Sequence, residues 1–193
     1  MFFKKRLAHI SDEELMRKVQ QGNESALTEI YQRYSIALLR YFTRMLWQDG
    51  ELAEDFLQDL FLKVIDNPGR FDSTRNFSTW IYSSAHNMCK NEYRNRANRG
   101  AMVIPMESQN NTDPHKLIDE RDFKERLDLL LETLDDESKT LFLLRYEQEL
   151  DLQKISDILA IPVGTIKSRL FYLRKGLSQE LSEYKIILKE GML

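Results

Sequence analysis

The stretch DLQKISDILAIPVGTIKSRLFYLRKGL, residues 151–177, predicts two helices joined by a tight turn. In the first helix Ile155, Ile158 and Leu159 fall on one face, at the spacing of an amphipathic helix. Pro162 ends this periodicity, because proline disfavours helical backbone at the preceding residue and suits the first turn of a following helix. The pattern favours a helix-turn-helix, whose second helix can enter the major groove of DNA and contact base edges.

The second helix opens at Gly164 and Thr165 and combines an inward apolar face with basic outer faces. The apolar residues at inward positions are Ile166, Leu170 and Leu177. The other faces carry polar, aromatic and cationic side chains, namely Lys167, Ser168, Arg169, Phe171, Tyr172, Arg174 and Lys175. An amphipathic helical hairpin with a solvated basic face would show the same generic pattern. The pattern alone therefore favours DNA binding and leaves this structural alternative open.

Composition and periodicity together predict the fold class. The chain has 193 residues, of which 7 are glycine and 4 are proline, and helical periodicities fill most of its length. Runs of alternating β-branched residues are nearly absent, so we expect an all-α protein. Its length suits one domain or two small ones.

Charge is segregated along the chain, although its net value is only −3. Acidic residues cluster between Asp49 and Asp59, and a basic run extends from Lys90 to Arg99 around Glu92. The helix that begins near residue 163 forms a second basic cluster. This separation of charge indicates more than one kind of partner, one of which is a nucleic acid.

The sequence offers no pattern typical of a metal site or an enzyme active site. Cys89 is the single cysteine, and His9, His86 and His115 show no zinc-ligand spacing with it or with one another. A glycine-rich phosphate loop is also absent. The N-terminal MFFKKRLAHI lacks the long apolar core of a signal peptide, and no apolar stretch could span a bilayer. We therefore expect a cytoplasmic protein without stable membrane insertion, metal, cofactor or catalytic residue.

The chain divides into two helical blocks and a connecting segment. We expect the first block at residues 11–99, with a helix N-cap at Ser11. Residues 100–119 show no sustained periodicity and contain the loop-forming residues Asn110, Asn111, Asp113 and Pro114. The second block is expected at residues 120–185, and the helix-turn-helix lies within it. The predicted architecture is two small helical domains joined by a flexible linker.

Three motifs in one order carry a resemblance to a known family. LAEDFLQDLFLKV at residues 52–64 is similar to the polymerase-binding helix of sigma factors. FSTWIYSSAHNMCKNEYRNR at residues 77–96 is similar to their promoter-melting segment, and VGTIKSRLFYLRKGL at residues 163–177 resembles their −35-reading helix. The chain thus resembles the extracytoplasmic-function branch, also called group 4, of the sigma-70 family, over roughly residues 20–100 and 120–180. The resemblance implies a sigma region 2 helical bundle and a sigma region 4 helix-turn-helix.

The function that this resemblance implies is bacterial transcription initiation. Such a factor binds core RNA polymerase, directs it to −35 and −10 promoter elements and aids DNA melting, while the polymerase makes the RNA. The implied partners are the β′ clamp helices and the β flap of the polymerase, promoter DNA and an inhibitory anti-sigma factor.

The helix at residues 52–64 is implied to contact the β′ clamp helices. Its acidic and amide residues are Glu54, Asp55, Gln58 and Asp59, of which Asp55 and Gln58 are the principal candidates. Such groups can pair with arginines of a partner and fix the register of docking. Leu57 and Phe61 are expected to add apolar contact if they are not fully buried. An ordinary solvated helix face would have the same composition.

The melting segment is implied to bind the −10 element. Its candidates are Trp80, Ser83, Asn87, Lys90, Asn91, Arg94 and Arg96. Asn87 matches a residue that reads a flipped-out base, and the cations suit phosphates. Trp80 fits a core position equally well. At Ser83 many relatives have arginine, so the −10 contacts here differ from the family pattern.

The −35 contacts divide by side-chain chemistry. Lys167 can donate to guanine, Ser168 to a base or a phosphate, and Phe171 can touch thymine methyl groups. Arg169, Arg174 and Lys175 suit phosphates, and the amides of Gly164 and Thr165 suit a phosphate at the helix N-terminus. Tyr172 stands where relatives often have arginine or histidine, so we expect a different base preference there.

Two other hypotheses remain. A stand-alone helix-turn-helix regulator would use residues 1–100 for sensing or dimerisation and would bind duplex DNA without polymerase. A degenerate family member would act as a partner or inhibitor that does not bind DNA, but Lys167, Arg169, Arg174 and the basic run at residues 90–99 argue against this. Neither hypothesis explains the motif at residues 52–64.

Overall fold

The computed structural model describes residues 7, 9–99 and 120–184, which form helices and no strand. An N-terminal block contains α1 (Asp12–Gln20), α2 (Glu24–Met45), α3 (Gly50–Asp66) and α4 (Phe77–Asn98). A C-terminal block contains α5 (Glu120–Thr133), α6 (Asp136–Phe142), α7 (Leu152–Leu159) and α8 (Val163–Glu180). Short 3-10 turns lie at Pro68–Arg70 and Ser182–Tyr184, and a π-turn at Leu143–Glu147 continues α6. The all-α prediction is confirmed, and the predicted linker lies outside the described residues.

Side-chain caps fix where most helices begin. In six of them the residue before the first turn accepts a hydrogen bond from the backbone N–H three residues on: Ser11, Asn23, Asp49, Asn76, Asp135 and Asp151. Each bond satisfies one N–H that has no partner within the helix, and such a cap contributes about 1 kcal/mol. The predicted cap at Ser11 is confirmed, with 3.2 Å between its hydroxyl and the Glu14 amide.

The N-terminal block has the more aromatic core. The largest fully buried side chains of the described chain, including Tyr41, Phe42, Phe71 and Phe77, all lie between residues 15 and 81. Phe77 stacks edge-on with Phe71 and with Tyr34, at 5.2 Å between ring centroids in both pairs. Edge-to-face pairs of this kind stabilise a core beyond the area that they bury. This core holds α3 and α4 in a fixed relation.

The loop between α3 and α4 is tied to α1. The Gln20 side-chain amide donates to the carbonyls of Pro68 and Phe71, at 2.9 and 2.8 Å. Glu13, also on α1, accepts a hydrogen bond from the Phe77 backbone N–H at 3.0 Å. Because both ends of the loop bond to one helix, the start of α4 is set relative to α1.

The C-terminal block contains the predicted helix-turn-helix. Ile166, Leu170 and Leu177 are buried as predicted, and Leu173, not predicted, is buried with them at 9% exposure. The turn between α7 and α8 places Ala160 in the left-handed region at φ 55°. The Ser156 hydroxyl donates to the Ile161 carbonyl at 2.6 Å and closes this turn. Pro162 then forms the N-cap of α8 with an extended backbone, as proline favours.

The two blocks pack against each other through α4 and α7, with α2 also contacting α6. Thr140 of α6 is fully buried at this boundary, with its hydroxyl 3.6 Å from the Met45 sulfur. None of the helices in the described parts of the chain is long and apolar enough to cross a membrane.

Candidate polymerase and promoter interfaces

The acidic face of α3 points away from the core. Glu54, Asp55, Gln58 and Asp59 are all exposed, as expected for a contact surface. Leu57 and Phe61 are 7% and 5% exposed, so the condition under which they were expected to add apolar contact is not met. Both lie on the helix face that packs against α2, together with Ala53, Leu60 and Val64. They hold the acidic face in place.

Two apolar residues on α3 were missed as candidates for this surface. Leu62 and Ile65 are 51% and 47% exposed, and they continue the row of Asp55 and Gln58 at helical spacing. This row therefore faces outward. Beside it, Tyr31 is 46% exposed and its ring lies 4.8 Å from that of Phe61. The face is therefore acidic at one end and apolar at the other. The helical spacing of Asp55, Gln58, Leu62 and Ile65 in the sequence was the signal that could have identified the apolar end.

Trp80, at the start of α4, is only partly exposed. Its ring lies 5.5 Å from that of Phe71 and 5.7 Å from that of Phe77. The indole therefore completes the aromatic core while leaving part of its surface open. Both alternatives for Trp80, core packing and a surface for a base, are compatible with this position.

One stripe of α4 presents most of the other −10 candidates. Asn87, Lys90, Asn91 and Arg94 are exposed, and Ser83 is partly exposed one turn before Asn87. The spacing of these residues puts them on neighbouring rows of the same helical surface. The surface combines amide groups with cations, the chemistry suited to bases and phosphates.

Arg96 differs from the other cations of α4. Its guanidinium lies 3.8 Å from the ring centre of Trp47, a cation–π contact, and its Nε is 3.4 Å from a Glu92 carboxylate oxygen. Only a third of its side chain is exposed. The prediction of a simple phosphate contact overlooked both partners, of which Trp47 lies far away in sequence.

His86 borders this stripe on the side of the C-terminal block. Its Nδ1 is buried without a hydrogen-bond partner among the described residues. Burial lowers the pKa of His86, and Lys90 on the next turn lowers it further, while Glu137 acts in the opposite direction. The lowered pKa favours the neutral imidazole, so His86 contributes little positive charge to α4.

Helix α8 presents most of its predicted contact residues to solvent. Lys167, Ser168, Arg174 and Lys175 are exposed. Pro162 provides no side-chain hydrogen bond to the first turn, so the amides there are free of a side-chain cap. A side chain added at Gly164 would meet no other atom of the described structure within 4 Å, so packing within the chain does not require glycine there. This helix end has the open geometry that an anion needs.

Phe171 and Tyr172 are unusually exposed for aromatic residues, at 63% and 69%. Their rings form an edge-on pair at 5.4 Å between centroids. Large apolar surface left in solvent next to cations is typical of an interaction site. Arg169 is engaged within the chain, because its guanidinium lies 2.5 Å from a carboxylate oxygen of Glu137 on α6.

A groove of about 620 Å³ separates α8 from α5 and α6. Its apolar lining residues are Leu130, Leu134, Leu141, Tyr172, Leu173 and Leu177. The Arg169–Glu137 ion pair lies at this groove. Sequence analysis had not identified it, since its walls come from three helices separated along the chain. Within the described ranges, no group of three or more acidic, histidine or cysteine side chains is placed to hold a metal ion.

Comparison with known proteins identifies the family. The Sigma-70 region 2 model matches residues 30–99, and the Sigma-70, region 4 model matches residues 124–175. The ECF RNA polymerase sigma factor SigW of Bacillus subtilis is 30% identical over 179 residues, which cover 87% of this chain and 95% of SigW. The ECF RNA polymerase sigma-E factor of Escherichia coli K12 is 24% identical, over 89% of this chain and 95% of that protein.

Solved structures show the same fold. CnrH, in complex with the cytosolic domain of CnrY, superposes with a TM-score of 0.67 at 20% identity, covering 89% of this chain and 97% of CnrH. The sigma factor RpoE of Bartonella quintana, in complex with the anti-sigma factor NepR, gives 0.60 at 22% identity, covering 80% and 97%. The helical fold and the two matched regions define an RNA polymerase sigma factor. The chain belongs to the extracytoplasmic-function branch of the sigma-70 family.

Proposed function

We propose that this sigma factor works through three separate surfaces: the outer face of α3 for core polymerase, the exposed stripe of α4 for the −10 element and α8 for the −35 element. The proposed domains are residues 11–99 and 120–185, joined by a linker at 100–119. The observation that supports this assignment best is the exposure of all three surfaces on helices whose opposite faces are buried. The protein itself performs no catalysis, and it acts in the cytoplasm, where the polymerase makes RNA.

The α3 surface is proposed to dock on the β′ clamp helices. Asp55 and Gln58 supply the polar contacts, and Leu62 and Ile65 supply apolar contact in place of the buried Leu57 and Phe61. Interfaces commonly combine an apolar centre with charged groups that set orientation. The acidic end would then select arginines on the polymerase, and the apolar end would contribute affinity.

The α4 stripe is proposed to hold the melted −10 strand. Asn87 is exposed and carries the donor and acceptor that a base edge requires. Lys90 and Arg94 flank it and suit backbone phosphates, whereas Arg96 would have to leave Trp47 to do so. Opening a duplex costs a few kcal/mol per unstacked step, and a specific pocket for one base offsets part of this cost.

The α8 surface is proposed to read the −35 element in the major groove. Lys167 and Ser168 are assigned to base edges, and Phe171 and Tyr172 to thymine methyl groups and neighbouring sugars. Arg174 and Lys175 are assigned to phosphates, together with the amides of the first turn of α8. Arg169 reaches a phosphate only after it releases Glu137.

Two further partners are proposed. The apolar groove beside α8 suits an amphipathic segment such as the polymerase β flap, because helices dock their apolar faces in grooves of this kind. CnrH was solved in complex with the cytosolic domain of CnrY, and the sigma factor RpoE was solved in complex with the anti-sigma factor NepR. We infer that an anti-sigma factor also controls this chain.

The decisive experiment is transcription from fragmented genomic DNA by sigma-free core polymerase, with and without this protein, with RNA 5′ ends mapped. New start sites that share two upstream motifs are the expected result. Asp55→Arg should abolish them by weakening polymerase binding, while Arg121→Ala, an exposed change outside the three surfaces, should preserve them. Specific duplex binding by the protein alone, with no new start sites, would support the stand-alone regulator instead.

A further inference from the structure

The groove beside α8 offers apolar surface that the packing of the described chain leaves partly uncovered. Leu130 and Leu134 of α5 and Tyr172 of α8 line this groove, and none of these side chains is fully buried. Tyr172 is 69% exposed. Apolar walls around a volume of about 620 Å³ suit the side chains of a short apolar segment.

Gly176 also lines the groove, and packing within the described chain does not require glycine there. It lies inside α8, where glycine is less favourable than alanine because its freer backbone must be fixed. A Cβ added at this position would meet no heavy atom of the rest of the described structure within 4 Å. Glycine lets another segment approach the helix backbone closely. Its place in the groove therefore favours an occupant.

The charge of the groove is unbalanced. Its described lining contains three acidic side chains and one cation, namely Asp135, Glu137, Glu180 and Arg169. Arg169 pairs with Glu137. Glu180 is 62% exposed, and its carboxylate makes only a long contact of 3.8 Å with the Arg126 guanidinium. An occupant that carries positive charge is therefore favoured.

The described chain ends beside one wall of this groove. The last turn packs against α5, since the Tyr184 ring lies 5.7 Å from that of Phe123 and Leu181 is fully buried. Leu130, on the same helix as Phe123, lines the groove. The distance along α5 between these two residues is about 10 Å, at 1.5 Å per residue. The segment that follows Tyr184 therefore starts close to the groove.

That segment, KIILKEGML at residues 185–193, has the composition that the groove favours. Three apolar residues lie between two lysines: Ile186, Ile187 and Leu188 follow Lys185 and precede Lys189. A chain of this length spans at most about 30 Å, so it is long enough to reach the groove and to run along it. The apolar run matches the leucine walls, and the lysines match the acidic side chains.

We propose that residues 185–193 dock in the groove of their own chain, with the apolar run against Leu130 and Leu134 and the lysines near Glu137 and Glu180. Tethering favours this occupant, because a segment held by a short linker has an effective concentration of about millimolar. If the proposed function holds, the segment competes with the polymerase β flap and lowers its apparent affinity by the fraction of chains whose groove is open. This last consequence rests on the proposed function, whereas the docking itself does not.

The docking is tested on the full-length chain by methyl NMR with a spin label on the segment. Glu190→Cys carries the label, in a background in which the buried Cys89 is replaced by alanine. Paramagnetic broadening falls steeply with distance. The label should therefore broaden the methyl signals of Leu134 in the groove more than those of Leu60, which is buried in α3.

Two changes should release the segment from opposite sides of the contact. The first removes the apolar run and combines Ile186→Ser, Ile187→Ser and Leu188→Ser. It should reduce the broadening in the groove by about twofold or more, because a tethered segment docks only when its intrinsic Kd is near or below its effective concentration. Gly176→Leu should act similarly by filling the groove. Ile36→Ser is the matched control, because Ile36 is 64% exposed and does not line the groove.

Three results would overturn the docking. The first is broadening at Leu134 that is no stronger than at Leu60. The second is broadening that persists both in the folded serine variant and in Gly176→Leu. The third comes from a mixture of spin-labelled chains with isotope-labelled chains that carry no spin label. Equally strong broadening of Leu134 in this mixture would place the segment on a second copy.

The competition with polymerase is measured separately, by titrating core enzyme into the unmodified chain and into the serine variant. The variant should bind core more tightly by about twofold or more, the factor by which release raises the open fraction. Equal affinities, together with reduced broadening, would overturn the competition and support the docking alone. If the unmodified chain does not bind core at all, the proposed function fails, while the NMR result decides the docking independently.

Discussion

The two helices proposed to contact DNA, α4 and α8, differ in how deeply each is built into its block. α4 has four fully buried side chains, Phe77, Ile81, Ala85 and Cys89. One of its cations, Arg96, is stacked on Trp47. Only one stripe of the helix therefore remains for DNA. The position of that stripe is fixed by an aromatic core.

α8 is attached by a narrower row of aliphatic residues, Ile166, Leu170, Leu173 and Leu177. Phe171 and Tyr172 stand in solvent, and the remaining outward positions are mostly cationic or small. Much more of the helix circumference is thus free to enter a groove. The lower exposure of α4 suits its proposed role of holding a melted strand, whereas the broader exposed surface of α8 suits its proposed role of binding duplex DNA.

The largest expected effect that tests this difference between α4 and α8 is a change in the free energy of unfolding. Phe77→Ala should destabilise the protein by about 3–5 kcal/mol, because it removes a buried ring that contacts three others. Phe171→Ala should change the unfolding free energy by about 0.5 kcal/mol or less, as an exposed substitution. Urea denaturation measures both values. Similar losses for the two phenylalanines would mean that α8 is as deeply embedded as α4.

A smaller effect concerns base reading by α8. Lys167→Ala should weaken binding to the preferred −35 sequence by about 1–3 kcal/mol and relax the base preference at one position. Lys175→Ala, proposed to contact a phosphate, should weaken all sequences alike and reduce the salt dependence of binding. Holoenzyme binding to a set of −35 variants distinguishes the two outcomes. An unaltered −35 preference in Lys167→Ala would remove this residue from the groove.

On α4 the corresponding change is Asn87→Ala. It should leave the stability unchanged, because Asn87 is exposed, and should reduce promoter opening by the loss of about one or two hydrogen bonds, each worth about 1 kcal/mol. Permanganate reactivity of the −10 thymines reports the opened fraction. Arg121→Ala, an exposed change outside the three proposed surfaces, is a control for a general effect of surface changes. Normal opening by Asn87→Ala would exclude the base-pocket assignment.

The smallest expected effect concerns the ion pair between Arg169 of α8 and Glu137 of α6. Glu137→Gln should release Arg169 for a phosphate and raise DNA affinity by less than about fivefold, since exposed ion pairs contribute little. The gain should decrease with added salt, because screening weakens the competing ion pair. Titrating duplex DNA with the protein at two salt concentrations measures this gain in affinity and its salt dependence. Weaker binding in this variant would show that the ion pair positions Arg169 for DNA.

The predictable parts of this molecule are those that follow from local sequence. The helical periods, the Ser11 cap and the set of α8 side chains that face outward depend on residues within a few turns of one another. The sequence therefore predicts these features well. The helix-turn-helix turn was also placed correctly, although the left-handed Ala160 was not foreseen, because glycine rather than alanine is usual there.

The missed features depend on which helix packs against which. The burial of Leu57 and Phe61 follows from the packing of α3 on α2, and the pairing of Arg96 with Trp47 joins residues 49 positions apart. The ion pair between Arg44 of α2 and Asp128 of α5 spans the segment between the two blocks. A single sequence contains no local pattern for such contacts. The acidic and basic clusters in the sequence predict that the charged surfaces serve different partners, and this stays a prediction.

The two hydrogen bonds from Gln20 to the loop at Pro68 and Phe71 have a mechanical consequence. That loop joins α3, the helix assigned to the polymerase, with α4, the helix assigned to the melted strand. Its attachment to α1 restricts the movement of the loop. If α3 docks on polymerase as proposed, we expect a displacement of α3 to be transmitted to α4 with little of it absorbed by the loop. Gln20 lies on neither proposed surface, yet its hydrogen bonds help to set the angle between α3 and α4.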